Sequence, residues 1–292
     1  MQKLSAFLLI ILVILVFLSG CTDDTSDTKK TNGNDSTLKV AVSILPEKEF
    51  AEAVGGEKIS VSVLIPPGAS PHTYELTSGQ LRELSQTDIY AVTGFGIEFE
   101  LAWMNKIAGV NPDMKIINLS EGVDLISSED EESGTDPHIW LSLKNVKIMS
   151  ENLCEGLVNQ SPEDEQYFRE NLNEYELKLD SLDNTIKKEL SEREDETILV
   201  YHPAWQYFAS DYSLNLISVE NEGKDPSPAE LAEIIDTAKI KGIKVVFASP
   251  EYSTKSAEVI ANAINGNVVL IDPLSENYLL NMEYVAKAFA SE

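Results

Sequence analysis

The sequence predicts an α/β protein of two lobes with parallel sheets, joined by one long backbone helix. Short apolar strand patterns alternate with helical patterns in two separate blocks, and one uninterrupted helical pattern lies between them. Helical crossovers between short apolar strands favour parallel pairing. A chain of 292 residues is also long enough for two modest lobes and too long for one small core.

The first block opens with a strand over residues 38–45 (LKVAVSIL) and a helix over 47–54, stopped by Gly55-Gly56. A second strand over 58–65 runs into the loop Pro66-Pro67-Gly68-Ala69-Ser70-Pro71-His72. A helix near 80–86, a strand over 88–92, a helix near 98–108 and a strand over 115–119 complete an α/β lobe. A further helical pattern, Val146, Met149, Leu153 and Leu157, contains Cys154, which reads as a small buried apolar thiol.

Residues 161–193 read as the connecting helix, with Ser161 as N-cap and Pro162 at the first helical position. Tyr167, Leu172, Tyr175, Leu179, Leu182, Ile186 and Leu190 trace one face. At 1.5 Å per residue such a helix is about 45 Å long, roughly the span of a domain. A coiled-coil dimer is the alternative, but charges fill the other faces and the stripe is short, so an intramolecular strut in a monomer is expected.

The second block alternates in the same way. Strands are expected at 198–201, 215–219, 243–248 and 267–271, and helices at 204–211, 229–241, 253–264 and the C-terminus. The division is therefore a first lobe at 38–160, the linking helix at 161–193 and a second lobe at 194–292.

The N-terminal segment is of another kind. Lys3 precedes a nearly unbroken apolar run over 6–18, the length of a signal-peptide core rather than a comfortable membrane span. Leu18-Ser19-Gly20-Cys21 resembles the lipobox of prokaryotic lipoproteins. The resemblance implies removal of residues 1–20 and lipidation of Cys21; the alternative is an uncleaved anchor helix. Residues 21–37 hold no large apolar side chain beyond the cysteine and read as a flexible tether. Either way the remaining chain is expected outside the cytoplasmic membrane, anchored to its outer face.

Composition narrows the partners. Lys plus Arg is 22 against 49 Asp plus Glu, a net charge of −27. Such a surface repels phosphate backbones, excludes a nucleic-acid partner and suits cations. The 2 cysteines exclude a disulfide scaffold.

All 3 histidines stand beside a proline: His72 after Pro71, His138 after Pro137, His202 before Pro203. His72 and His202 follow strand ends, where open α/β sheets bind ligands. Asp272 repeats that placement in Ile271-Asp272-Pro273. Singly, each histidine reads as a hydrogen-bonded structural residue and the aspartate as a turn former. Jointly, two potential ligands from each half point to a metal held between lobes. Three imidazoles and a carboxylate match tetrahedral Zn²⁺ and suit other borderline divalent ions, whereas calcium and magnesium would call for oxygen ligands.

These segments also carry a family resemblance. Val63-Leu64-Ile65-Pro66-Pro67-Gly68-Ala69-Ser70-Pro71-His72-Thr73-Tyr74-Glu75 resembles the first metal motif of the periplasmic zinc- and manganese-binding proteins of ABC transporters. Asp136-Pro137-His138-Ile139-Trp140-Leu141, Tyr201-His202-Pro203-Ala204-Trp205-Gln206-Tyr207-Phe208 and Asp272-Pro273-Leu274 resemble the other three. The resemblance implies a site of His72, His138, His202 and Asp272 at the lobe interface, with Glu75 and Asp136 as supporting or alternative ligands, and a membrane permease as partner. It implies Zn²⁺ over Mn²⁺, because manganese-selective relatives usually carry Glu at the position of His202. Ser249 departs from the pattern, standing where relatives usually have Glu. The loop before the second motif, residues 127–133, is acidic where many zinc-specific relatives are rich in histidine.

An extracytoplasmic zinc metallohydrolase is the competing class. It needs a general base near an open metal position. No HExxH or nucleophile-elbow motif is present and Glu75 is the one base in view, so a non-catalytic metal carrier is expected.

Overall fold

Strands β1 (Leu38–Val42), β2 (Ile59–Val63), β3 (Ile89–Val92) and β4 (Lys115–Asn118) form a parallel sheet ordered β2-β1-β3-β4. Strands β5 (Thr197–Val200), β6 (Asn215–Ser218), β7 (Val245–Ala248) and β8 (Asn267–Leu270) repeat that order as β6-β5-β7-β8. The computed structural model describes residues 37–127, 134–220, 225–251 and 254–291. The expected signal peptide, the tether, Cys21 and most of the acidic loop lie outside these residues.

In each sheet the chain moves to one side of its first strand and then to the other, which opens a crevice at the carboxyl ends. Helices α1 (Leu45–Gly55), α2 (Ser78–Leu84) and α3 (Glu98–Val110) link the first four strands. Helices α4 (Leu143–Gln160) and α5 (Glu165–Glu189) join the sheets. Helices α6 (Gln206–Asp211), α7 (Pro228–Lys241), α8 (Lys255–Ala263) and α9 (Tyr278–Ala290) serve the second.

The linking helix differs at both ends from expectation. Pro162–Asp164 form a turn of 3₁₀ helix, and the Ser161 hydroxyl bonds the Asp164 carboxylate at 2.9 Å instead of capping a backbone N–H. At the far end Leu190 caps the helix, and Arg193 lies beyond it, paired with Glu196 and the Ala290 carbonyl. The buried stripe is Phe168, Leu172, Tyr175, Leu179, Leu182 and Ile186. Phe168 replaces Tyr167 at its head, which restores a regular alternation of four- and three-residue steps, while the Tyr167 hydroxyl accepts from the Glu57 N–H.

This stripe packs against α1 and α4 from one side and α9 from the other, so one core runs through both lobes. Phe50 of α1 meets Tyr278 of α9 edge to face at 5.0 Å. The second sheet also buries its other face: Ile198, Val200 and Phe247 enter the shared core, while Leu199, Val246 and Ala248 face α7 and α8. Cys154 is fully buried in α4, as its pattern requires, and burial pushes its thiol up to about 11.

Two buried carboxylates fill the crevice between β1 and β3. Glu47 accepts from the backbone N–H groups of Ser43 and Ile44, at 2.9 and 3.1 Å, and from the Thr93 hydroxyl. Glu100 accepts from the Thr93 and Gly94 N–H groups, at 2.8 and 2.9 Å, and from the Ser43 hydroxyl. Burial and then the Glu100 charge push Glu47 up to about 8. Gly94 permits this turn, since its φ is +95° and a Cβ would meet Asn118 at 1.7 Å. The network pins the first turn of α3, from which Glu98 projects.

Candidate metal centre

The carboxyl ends of both sheets deliver the site. The loop after β2 carries His72, the first turn of α3 after β3 carries Glu98, and the long connection after β4 carries Asp136 and His138. From the second sheet, His202 follows β5, Glu220 follows β6, Glu251 follows β7 and Asp272 follows β8. The ligand atoms of His72, His138 and His202 all lie within 4.8 Å of one another. Their ring centroids are 5.1–6.0 Å apart.

Each imidazole is anchored through Nδ1 to its own carboxylate. His72 Nδ1 lies 2.9 Å from both oxygens of Glu98. His138 Nδ1 is 2.7 Å from Asp136 Oδ1, and His202 Nδ1 is 2.9 Å from Glu220 Oε2. A carboxylate only accepts, so Nδ1 is the donor in each pair and Nε2 presents a lone pair. This is the orientation in which histidines bind metals. Burial, with the neighbouring imidazoles His138 and His72, holds His202 down to about 4 despite Glu220. Burial pushes the Glu98 carboxyl up, but the hydrogen bond and charge of His72 more than offset it, so it lies below the usual range.

The nitrogens converge on a cavity of about 20 Å³, room for one water or one ion. Pro71, Ile97, Pro137, Pro273 and Leu274 give it apolar walls, and Glu251 lines it too. Glu251 Oε2 is buried without a hydrogen-bond partner among the described residues, whereas its carboxyl bonds that of Asp272. Burial and then the Asp272 charge push Glu251 up to about 8. A small pocket with largely apolar walls and lone pairs converging on it fits a divalent cation.

Several hydrogen bonds tie the loops together across the lobes. Tyr207 of α6 accepts from the Ile126 N–H at 3.0 Å and donates to the Asp136 carbonyl at 2.9 Å. Trp140, tilted against His138, donates from Nε1 to the Pro273 carbonyl at 2.7 Å.

The structure thus joins His72, His138 and His202, with Asp136 behind His138. Asp272 stands one step back: it lines a neighbouring cleft of about 170 Å³, and its Oδ1 accepts from the Leu274 N–H at 2.7 Å. Glu75 is not brought to the trio. The chain turns at residues 70–73, where Thr73 and Tyr74 N–H groups bond the Ser70 carbonyl, and Glu75 emerges exposed. Ser249 is buried, and the carboxylate on that loop is Glu251. Sequence reading missed Glu98 and Glu220, although both follow strand ends just as the histidines do.

Residues 40–292 match the family described as zinc-uptake complex component A, periplasmic (ZnuA). A crystal structure of ZnuA superposes with a TM-score of 0.84 at 36% identity, covering 88% of this chain and 99% of that one. The high-affinity zinc uptake system protein ZnuA of Bacillus subtilis is 26% identical over 251 residues, 81% of this chain and 78% of its own. The manganese-binding lipoprotein MntA of Halalkalibacterium halodurans is 26% identical over 236 residues, 80% of this chain and 77% of its own.

Proposed function

The chain belongs to the ZnuA family of periplasmic zinc-uptake components, and from that premise we propose that it is the extracytoplasmic high-affinity Zn²⁺-binding subunit of an ABC importer. It captures the ion and hands it to a membrane permease; it is not an enzyme. His72, His138 and His202 hold the ion through Nε2, and the Glu251–Asp272 pair closes the fourth side. Asp136, Glu98 and Glu220 fix the tautomers. The protein works as a monomer, tethered to the outer face of the membrane through a lipid on Cys21.

The convergence of three carboxylate-anchored imidazoles on one ion-sized cavity carries this reading. Nitrogen donors favour Zn²⁺ over Mn²⁺, which prefers harder oxygen ligands. Affinity in vitro is a weak guide, because zinc exceeds manganese in the Irving–Williams order at almost any such site. The experiment is metal analysis of protein purified from its native host, joined to competitive zinc and manganese titrations. Bound zinc, with manganese displaced by it, is expected. Manganese as the native occupant would move the chain to the manganese branch of the same transport class.

A further inference from the structure

We propose that the fourth bond to the ion comes from Glu251 rather than from Asp272, which acts as a positioning residue behind it. This rests on the metal-carrier reading above. The sheet order supplies the first argument. β5 carries His202, and β7, which carries Glu251, is hydrogen-bonded to it directly; β8, which carries Asp272, is one strand further out. Adjacent strands lie about 4.8 Å apart, so an edge-strand aspartate starts about 10 Å from β5. Glu251, with a longer side chain from the nearer strand, lines both the histidine cavity and the neighbouring cleft, whereas Asp272 lines the cleft and is not among the residues around the cavity.

The second argument is donor availability. Two carboxylates line the cavity, Glu98 and Glu251. Glu98 is committed to His72, whose Nδ1 hydrogen-bonds Oε1 and lies 2.9 Å from both oxygens, although its Oε2, like that of Glu251, is buried without a hydrogen bond among the described residues. Glu251 Oε2 has no hydrogen-bond partner among the described residues, and a buried polar atom left so is costly unless something binds it. Three neutral imidazoles leave a divalent ion with its full charge and one open tetrahedral position. A carboxylate oxygen there neutralises part of that charge inside apolar walls. Asp272 is held in turn by the Leu274 N–H, and its carboxyl bonds that of Glu251.

The test compares wild type, Glu251→Gln, Asp272→Asn and His202→Gln near neutral pH. Zn²⁺ affinity is read by chelator competition and ligand geometry by the visible bands of the Co²⁺-loaded protein. Glu251→Gln is expected to weaken zinc binding about tenfold or more and to shift the cobalt bands. Asp272→Asn is expected to weaken binding less and to leave the bands in place, which a direct ligand would not do. Wild-type affinity and bands in Glu251→Gln, or bands moved by Asp272→Asn alone, would overturn the assignment. If the wild type binds no zinc, or His202→Gln changes nothing, the carrier reading itself fails. Should Glu251→Gln not fold, a zinc-loaded wild-type crystal decides. A Glu251 oxygen about 2.0–2.2 Å from the metal supports the proposal, and Asp272 or a water in that place refutes it.

Discussion

The Nε2 atoms of His138 and His202 stand 3.2 Å apart, on loops 64 residues apart in sequence. With Asp136 and Glu220 on the opposite ring nitrogens, both Nε2 atoms present lone pairs. A hydrogen bond between them would need one ring to be a cation, and the depressed titration of His202 opposes its being that ring. With both rings neutral the two facing lone pairs repel, and a cation bound to both removes the repulsion. The fold therefore holds the rings in an arrangement that metal binding stabilises.

Replacing His72, His138 or His202 singly by Ala is expected to lower zinc affinity about tenfold or more, roughly 1.4 kcal/mol. Each removes one nitrogen from an apolar cavity where water substitutes poorly. Competition titrations read the effect, and an unchanged constant in any variant would remove that residue from the site.

The anchoring carboxylates are expected to matter nearly as much. Glu220→Ala frees the His202 ring to rotate and to take the other tautomer. A loss of about 10- to 100-fold in zinc affinity is expected, with little change in far-ultraviolet circular dichroism. Wild-type affinity would show that the ring is oriented by packing alone.

How legible these residues were depended on their local sequence. Every histidine stands beside a proline at a loop position, and Asp136 lies two residues from the ring it holds, so all were visible along the chain. Glu98 and Glu220 sit 26 and 18 residues from their partners, in stretches with no distinctive pattern. Only the three-dimensional meeting of strand ends selects them. The strands themselves were legible because apolar runs and turn residues are local signals. The strand order, which places β7 beside β5 and β8 outside it, is not local, so the sequence alone points to Asp272 and gives no reason to weigh Glu251 against it. The head of the α5 stripe shows a similar limit, since periodicity alone accepted Tyr167 where packing chose Phe168.

Stability without metal should depend on pH through His202. In the unfolded chain a histidine titrates near 6.5, and in the fold burial lowers His202 to about 4. Between these values the unfolded state binds the proton and the folded state does not, so stability is present above 6.5 and is lost as pH falls toward 4. The loss is on the order of 3 kcal/mol. In chelator, the melting temperature of wild type relative to His202→Gln should drop by roughly 5 °C or more from neutral to mildly acid pH. A constant difference would contradict the burial argument.

Trp140→Phe keeps the ring against His138 but deletes the donor to the Pro273 carbonyl. An unsatisfied buried carbonyl costs about 1–3 kcal/mol. Faster zinc release in stopped-flow chelation is expected, since that bond ties the His138 loop to the turn at Pro273. An unchanged release rate would show that the tie does not govern exit.

Wide opening of the lobes is not expected. α5 contains neither glycine nor proline, and its buried stripe joins α1, α4 and α9 in one core. Separating the lobes would expose Phe50 and Tyr278 to water. Small-angle scattering should give the same radius of gyration with zinc and with chelator, and marked compaction on zinc addition would identify a hinge in this helix.

The central claim, three imidazoles on one zinc ion, is tested most directly by zinc K-edge X-ray absorption of the loaded protein. The account predicts one zinc per chain with four nitrogen or oxygen neighbours at about 2.0–2.1 Å and the outer-shell scattering of three imidazole rings. A six-oxygen shell, or a spectrum without imidazole scattering, would contradict it.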